Sequence, residues 1–297
     1  MRVAVVDVGS NTVRLLVGER DGAGVRRVEE ERVRVALGAD VERGGELTPK
    51  RLARASDAVA REVARARKLG AAEISVLLTS PGRQARNGAE LRDAIASRTG
   101  VDVRLLSAAE EGRLGYTGAV AAAGVLDGSV AVCDAGGGST QLAVGSGRTA
   151  SWVRSVDIGS LRLTRRLLSD DPPPRAELDA ARAEVRRTFQ ELVPPLPRKA
   201  LATGGTARAL GRIVGKRLDA KTLAIALSIV SSSPARRVAS RYEIPGWRAS
   251  VLPAGALILA QVQQLLNVPL TVARGGIREG AALELLERAD LAEALPA

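Results

Sequence analysis

The chain has 297 residues, with 44 Lys and Arg against 33 Asp and Glu, no His, one Cys and 2% aromatic residues. Without imidazole there is no Ser-His-Asp hydrolase, Cys-His protease, HExxH zinc site or histidine proton relay, and Cys133 alone makes neither an intrachain disulfide nor a thiolate zinc cluster. Catalysis is confined to carboxylates, Arg, Lys, hydroxyls, backbone amides or a hard metal ion.

Residues 2–8 and 12–18 are β-branched, apolar runs separated by Gly-Ser-Asn, and they read as two strands joined by a tight turn. A third strand is expected at 25–36. Thr48 then caps a helix with Pro49 at its first position, and Leu52, Ala55, Val59 and Val63 keep helical spacing as far as Gly70. Strand 73–80, a helix after Asn87, strand 102–107 and a helix over 108–123 follow, the last opened by a Ser107/Glu110 capping box.

A second block opens at 129–140 and repeats the theme of apolar strand, Asp, Gly-rich turn, Ser or Thr, and apolar strand. Asp134 takes the place in it that Asp7 takes in the first block, one domain further along the chain. A strand at 150–159, Pro172 to Pro174, a charged helix near 176–192 and a Pro-rich break at 194–197 come next. Strand, Gly204-Gly205-Thr206 turn and helix then recur, followed by helices near 219–231, 234–242 and 250–266, a strand at 270–274 and a helical region from 277. The pattern is α/β, with domains expected at 1–127 and 128–297. No run approaches the length of a membrane span, and the opening residues lead straight into a strand, so a cytoplasmic protein is expected.

The formal charge of +11 invites a polyanionic partner, but 39 of the 44 basic residues are Arg in an Ala/Arg-rich chain, so charge alone decides little. Scarce aromatics disfavour nucleic acid against a smaller polyphosphate. Three Gly-rich turns carry the chemistry. Glycine lets backbone amides converge on an anion, and Ser, Asn or Thr hydroxyls and amides add donors. A single such turn is commonly only a hairpin. Two matched turns one domain apart, plus a third before a helix N-terminus, point to phosphate. An Asp at the strand end beside such a loop implies an intervening Mg²⁺-type cation or a water ordered by one. Neither a GxxxxGK[ST] loop nor a dinucleotide fingerprint is present.

The runs VVDVGSNTVRLLV, TSPGRQARNGAEL, SAAEEGRLGYTG, DAGGGSTQLAVG, DIGSLRLT, ATGGTARAL and GGIREGAAL resemble the successive motifs of the exopolyphosphatase / guanosine pentaphosphate phosphohydrolase family, in order, from residue 1 to about 285. The resemblance implies two actin-like domains of the ribonuclease H-like superfamily with an active site in the cleft between them, and Mg²⁺- or Mn²⁺-dependent hydrolysis of a terminal phosphoryl group. It assigns Gly9, Ser10, Asn11 and Thr12 to one phosphate loop and Gly136, Gly137, Gly138, Ser139 and Thr140 to another. Gly204, Gly205 and Thr206 add to these, as do Arg83 and Asn87 from a segment upstream of Glu111. Glu111 falls at the catalytic carboxylate that aims the attacking water, and Asp7, Asp134 and Glu111 at the metal. Glu110 is expected to be only the cap, Arg278 and Glu279 a structural pair, and Cys133 a buried small hydrophobe.

Gln141 departs from the Glu usual after GGGST and removes one negative charge. Inorganic polyphosphate is the expected substrate. Guanosine pentaphosphate hydrolysis and slow, regulatory binding of polyphosphate or guanosine tetraphosphate stay open beside it, and a homodimer is implied by the family alone. A kinase of the same superfamily is set against these by the Glu111 motif.

Overall fold

The computed structural model describes residues 1–124 and 126–294. In chain order the elements are β1 (Arg2–Val8), β2 (Thr12–Asp21), β3 (Gly24–Arg34), α1 (Leu37–Gly44), α2 (Pro49–Lys68), β4 (Glu73–Leu78), α3 (Ser80–Gln84), α4 (Gly88–Thr99), β5 (Val103–Leu105) and α5 (Ala108–Ala123). There follow β6 (Ser129–Ala135), β7 (Thr140–Ser146), β8 (Thr149–Val156), α6 (Ser160–Leu167), α7 (Arg175–Phe189), β9 (Lys199–Thr203), α8 (Gly204–Val214), β10 (Arg217–Leu218), α9 (Ala220–Ser231), α10 (Ala235–Tyr242), α11 (Gly246–Ala249), α12 (Leu252–Leu266), β11 (Leu270–Val272) and α13 (Ile277–Ala294). Among the described residues no helix is long and apolar enough to cross a membrane.

The chain divides into two compact units, Met1–Val125 with Gly275–Ala297, and Leu126–Arg274. In the first, the sheet order is β3-β2-β1-β4-β5, with β1, β4 and β5 parallel and the β1-β2-β3 meander antiparallel. In the second it is β10-β11-β9-β6-β7-β8, with the β6-β7-β8 meander antiparallel, β6, β9 and β11 parallel, and β10 added antiparallel at the edge. The repetition extends to detail. Both meanders break register at a Gly, between Val17 and Gly18 and between Val144 and Gly145, and these two glycines stand at the same offset as Asp7 and Asp134.

Alternation along β1 explains how the first sheet is covered. Ala4, Val6 and Val8 face a core shared with α2 and α4, whereas Val3 and Val5 face a cluster with Leu114 of α5 and Ala281, Ala282, Leu285 and Leu286 of α13. Asp7 falls in step with Val3 and Val5, on the α5 side. The segment from Gly275 onward, expected inside a second domain at 128–297, thus belongs with the first unit: its helix supplies the lid over one face of the first sheet. The final residues of the expected helical region, beyond 294, lie outside the described residues.

Helices α5 and α13 approach at backbone distance because both are notched by Gly. A Cβ on Gly118 would lie 2.0 Å from the Gly276 carbonyl oxygen, and one on Gly280 would lie 2.1 Å from that of Leu114. Arg278 and Glu279 do not pair with each other. Buried Arg278 donates to the Leu15 carbonyl (2.9 Å) and to Glu30 (2.6 Å), while Glu279 accepts from Arg27 (2.7 Å), so two ion pairs fasten α13 to β3. Burial by itself would raise the Glu30 carboxyl, but the Arg278 guanidinium, with Arg14 and Arg27, outweighs it and holds the group down at about 2.

Two outcomes follow from this packing. Gly118→Ala is expected to lose about 1–3 kcal/mol in chemical denaturation, as overpacked cores do, while Gly246→Ala, with nothing within 4 Å of its missing Cβ, serves as a near-neutral control. Arg278→Met is expected to lower the unfolding midpoint at neutral pH. Because the Glu30 value is depressed, its contribution is complete above 4.5 and is lost as pH falls through about 2. The gap between wild type and variant should therefore be smaller at pH values between those two than at neutrality.

Candidate functional site

Each unit carries a tight hairpin loop at the end of its first strand. In the first, the Gly9 amide closes on the Thr12 carbonyl (3.0 Å); in the second, Gly136 closes on Ser139 at the same distance. The outer carbonyls of both loops are held from one side by the entry to a helix. Gly38 at the start of α1 donates to Ser10 (2.8 Å), and Val35 and Ala36 donate to Asn11, each at 2.9 Å. In the second unit Ser160 of α6 donates to the Gly136 carbonyl (2.9 Å), and Leu161 and Arg162 donate to that of Gly137, each at 3.0 Å. A planar trans peptide points its C=O and the following N–H in opposite directions. The amides of Asn11 and Thr12, and those of Gly137 and Gly138, are thereby directed away from the helix. Gly159 permits this contact, since a Cβ there would lie 2.4 Å from the Gly137 carbonyl carbon.

The remaining groups of the first unit come from the carboxyl ends of its parallel strands, where open α/β sheets place their sites. Thr79, just past β4, donates its hydroxyl to the Val8 carbonyl at the end of β1 (3.2 Å). Arg83, on α3, donates one guanidinium nitrogen to the Leu106 carbonyl and another to Glu111 Oε2, both at 2.7 Å. The Glu-Glu pair of α5 is split as expected. Glu110 completes the capping box with Ser107 and also meets Arg104 (2.9 Å), which with the Ser107 contacts holds its carboxyl down at about 2. Glu111 turns inward and is only 6% exposed. Asn87 does not join this group: its carboxamide clasps the Leu47 backbone through both its oxygen (2.9 Å) and its nitrogen (3.0 Å).

In the second unit Asp134, at the end of β6, lies in register with Gln141 of β7 and Thr203 of β9. Its carboxylate occupies the space left by Gly204, where a Cβ would lie 2.4 Å from Oδ1. Gly204 begins α8 with φ +82. Gly205 is equally occupied: a Cβ there would meet the Arg248 guanidinium at 2.3 Å. Arg248, on α11, also lies over the Trp247 ring at 4.6 Å. The α8 N-terminus, expected to meet phosphate directly, thus faces a carboxylate and a guanidinium. Thr140 and Thr206, expected to add donors, direct their hydroxyls to the carbonyls of Ile158 (2.7 Å) and Ala135 (3.1 Å). Buried Gln141 donates to the hydroxyls of Ser139 (2.9 Å) and Ser155 (3.0 Å). Cys133 is fully buried, and burial pushes its thiol up, so it is an apolar strand residue.

Among the described residues no group of three or more Asp, Glu or Cys side chains forms a metal cage. Magnesium does not require such a cage: one or two carboxylates, phosphate oxygens and waters complete its octahedron. Asp134, seated on a glycine at a strand end, fits that kind of donor.

A model of the Ppx/GppA phosphatase family matches residues 16–289. The chain belongs to this family. An uncharacterized Streptomyces coelicolor protein is 31% identical over 97% of this chain and 91% of its own length. Exopolyphosphatase 2 of Mycobacterium tuberculosis is 30% identical over 96% of this chain and 98% of its own. The crystal structure of the Aquifex aeolicus family member superimposes with a TM-score of 0.83 at 24% identity, covering 97% of this chain and 98% of that one. Both units therefore have the expected actin-like α/β fold.

Within this Ppx/GppA fold the sequence reading missed α1, α6 and Arg248. Only the adjacent glycines at 204 and 205 hinted at the last, since two bare positions at a helix start leave room for two side chains. Gly205→Ala meets only the flexible end of Arg248, so it should displace the guanidinium, altering Trp247 fluorescence in a Trp152→Phe background, while stability stays within about 0.5 kcal/mol. Gly159→Ala meets backbone and should lose about 1–3 kcal/mol in denaturant unfolding.

Proposed function

We propose that this Ppx/GppA protein is an exopolyphosphatase that releases orthophosphate from the end of inorganic polyphosphate. The observation that carries the reading is Glu111: a buried carboxylate at the carboxyl ends of the parallel strands, with one oxygen fixed by Arg83. The name of the Mycobacterium tuberculosis relative supports the choice of substrate.

In this mechanism the outward amides of the 9–12 hairpin loop, in the same unit as Glu111, bind phosphoryl oxygens. Glu111, oriented by Arg83, accepts a proton from the water that attacks the terminal phosphorus. The bond from that phosphorus to its bridging oxygen breaks, and the shortened chain leaves. Phosphoryl transfer asks for positioning and charge neutralisation more than covalent help, so the absence of His is no obstacle. Asp134 would hold a Mg²⁺ ion, which would supply part of that neutralisation.

The test is phosphate release from long-chain polyphosphate, tripolyphosphate and guanosine pentaphosphate in the presence of Mg²⁺. Wild type should act on polyphosphate, and Glu111→Gln should lower kcat by about 10²–10⁴ with little change in KM, the scale of a lost general base. Full turnover in Glu111→Gln overturns the assignment of the base. Release from guanosine pentaphosphate alone moves the substrate to the nucleotide.

A further inference from the structure

The second unit contains a cavity of about 340 Å³ between α9 and α10, outside every residue so far given a role. Its polar lining is Ser228, Ser232, Ser233, Arg237, Arg241 and Tyr242. That volume is at the small end of the range for ligand sites.

Charge in this segment is one-sided. Between Asp219 and Glu243 the sequence holds Lys221, Arg236, Arg237 and Arg241 and no acid. Arg237 and Arg241 stand four residues apart, on one stripe of α10, where like charges repel by a few tenths of a kcal/mol. A bound polyanion would turn that cost into attraction. The platform beneath them is firm: Ala235 and Val238 are buried in the core, and the Asp171 carboxylate caps the start of α10 at the Ala235 amide (2.8 Å). Serine hydroxyls complete the lining. That of Ser232 is turned to the Ser228 carbonyl (2.6 Å), and those of Ser228 and Ser233 supply further donors.

The single aromatic residue of the lining narrows the ligand class. The Arg241 guanidinium lies over the Tyr242 ring at 5.6 Å, so this ring carries a cation where a nucleobase would stack. Guanidinium forks and hydroxyls match phosphate oxygens. We infer that the α9–α10 pocket is a second anion site that binds a stretch of polyphosphate chain, separate from the groups that hydrolyse it.

The inference takes its ligand from the proposed substrate, and its test reads binding apart from hydrolysis. Binding of long-chain polyphosphate is measured by calorimetry at two salt concentrations for wild type, for Arg237→Glu/Arg241→Glu and for the charge-matched control Arg175→Glu/Arg186→Glu on α7, with thermal melts verifying the fold. The pocket variant should bind roughly tenfold more weakly with a shallower salt dependence, and the control should stay close to wild type. In turnover, KM for long chains should rise while kcat and KM for tripolyphosphate hold. Equal losses in both variants reduce the effect to net charge and overturn the inference, as does unchanged affinity in the pocket variant. Tighter binding of single-stranded RNA through the same two arginines overturns the ligand class. If long chains bind as expected and no substrate is hydrolysed, the hydrolytic reading falls and the pocket stands.

Discussion

The arrangement on which each unit depends is a hairpin loop whose outward carbonyls are bonded by amides at the entry to a helix distant from it in sequence. Two requirements are met by one set of bonds. The first amides of a helix have no partner inside it, and the carbonyls of a tight loop need donors of their own. Joining them fixes the loop from behind and turns its amides outward. The result is a rigid row of donors without a charged side chain, built twice in one chain at corresponding positions of the two sheets.

The same bonds explain what could be read in the sequence and what could not. The strands of both meanders were legible because alternation and β-branched runs are local properties, and the Asp-to-Gly turns were legible because glycine marks them. α1 and α6 were not. Helix starts are recognised by a Ser, Thr, Asp or Asn that caps its own helix, as Ser107 and Asp219 do. α1 begins after Ala36 in a left-handed conformation and α6 after Gly159, and neither has a side-chain cap. Their amides are satisfied by carbonyls from the hairpins, a long-range bond that leaves no local signature. Asn87 is the opposite case: an Asn beside a candidate site reads as a ligand, and what no local pattern shows is that its two polar atoms match the two polar atoms of one backbone residue, Leu47.

Arginine has two distinct uses here, which the net charge conceals. Where a guanidinium touches both a backbone carbonyl and a carboxylate, it acts as a fixed bracket. Arg83 between Leu106 and Glu111, and Arg278 between Leu15 and Glu30, are of this kind. The planar fork makes the geometry specific, and Lys in either position would keep the charge and lose one of the two contacts. Where arginines gather without acids, as on α10, they make a field instead. A chain with 44 basic residues can therefore hold a few carboxylates in fixed orientation and still present an attractive surface to polyanions.

The duplication also shows where the two units diverged. In the first, Asp7 faces Arg14 across the hairpin; in the second, Asp134 faces Gln141 at the same register position. The neighbouring strand thus supplies a cation in one unit and a neutral amide in the other. The nitrogen of that amide donates to both Ser139 and Ser155, which ties the strand beside the loop. Positive charge reaches the second site by another route, from Arg248 on α11, laid on Gly205 beside the glycine that accommodates Asp134. The strand-end carboxylate thus has a basic residue placed beside it in both units, from the adjacent strand in the first and from a separate helix in the second.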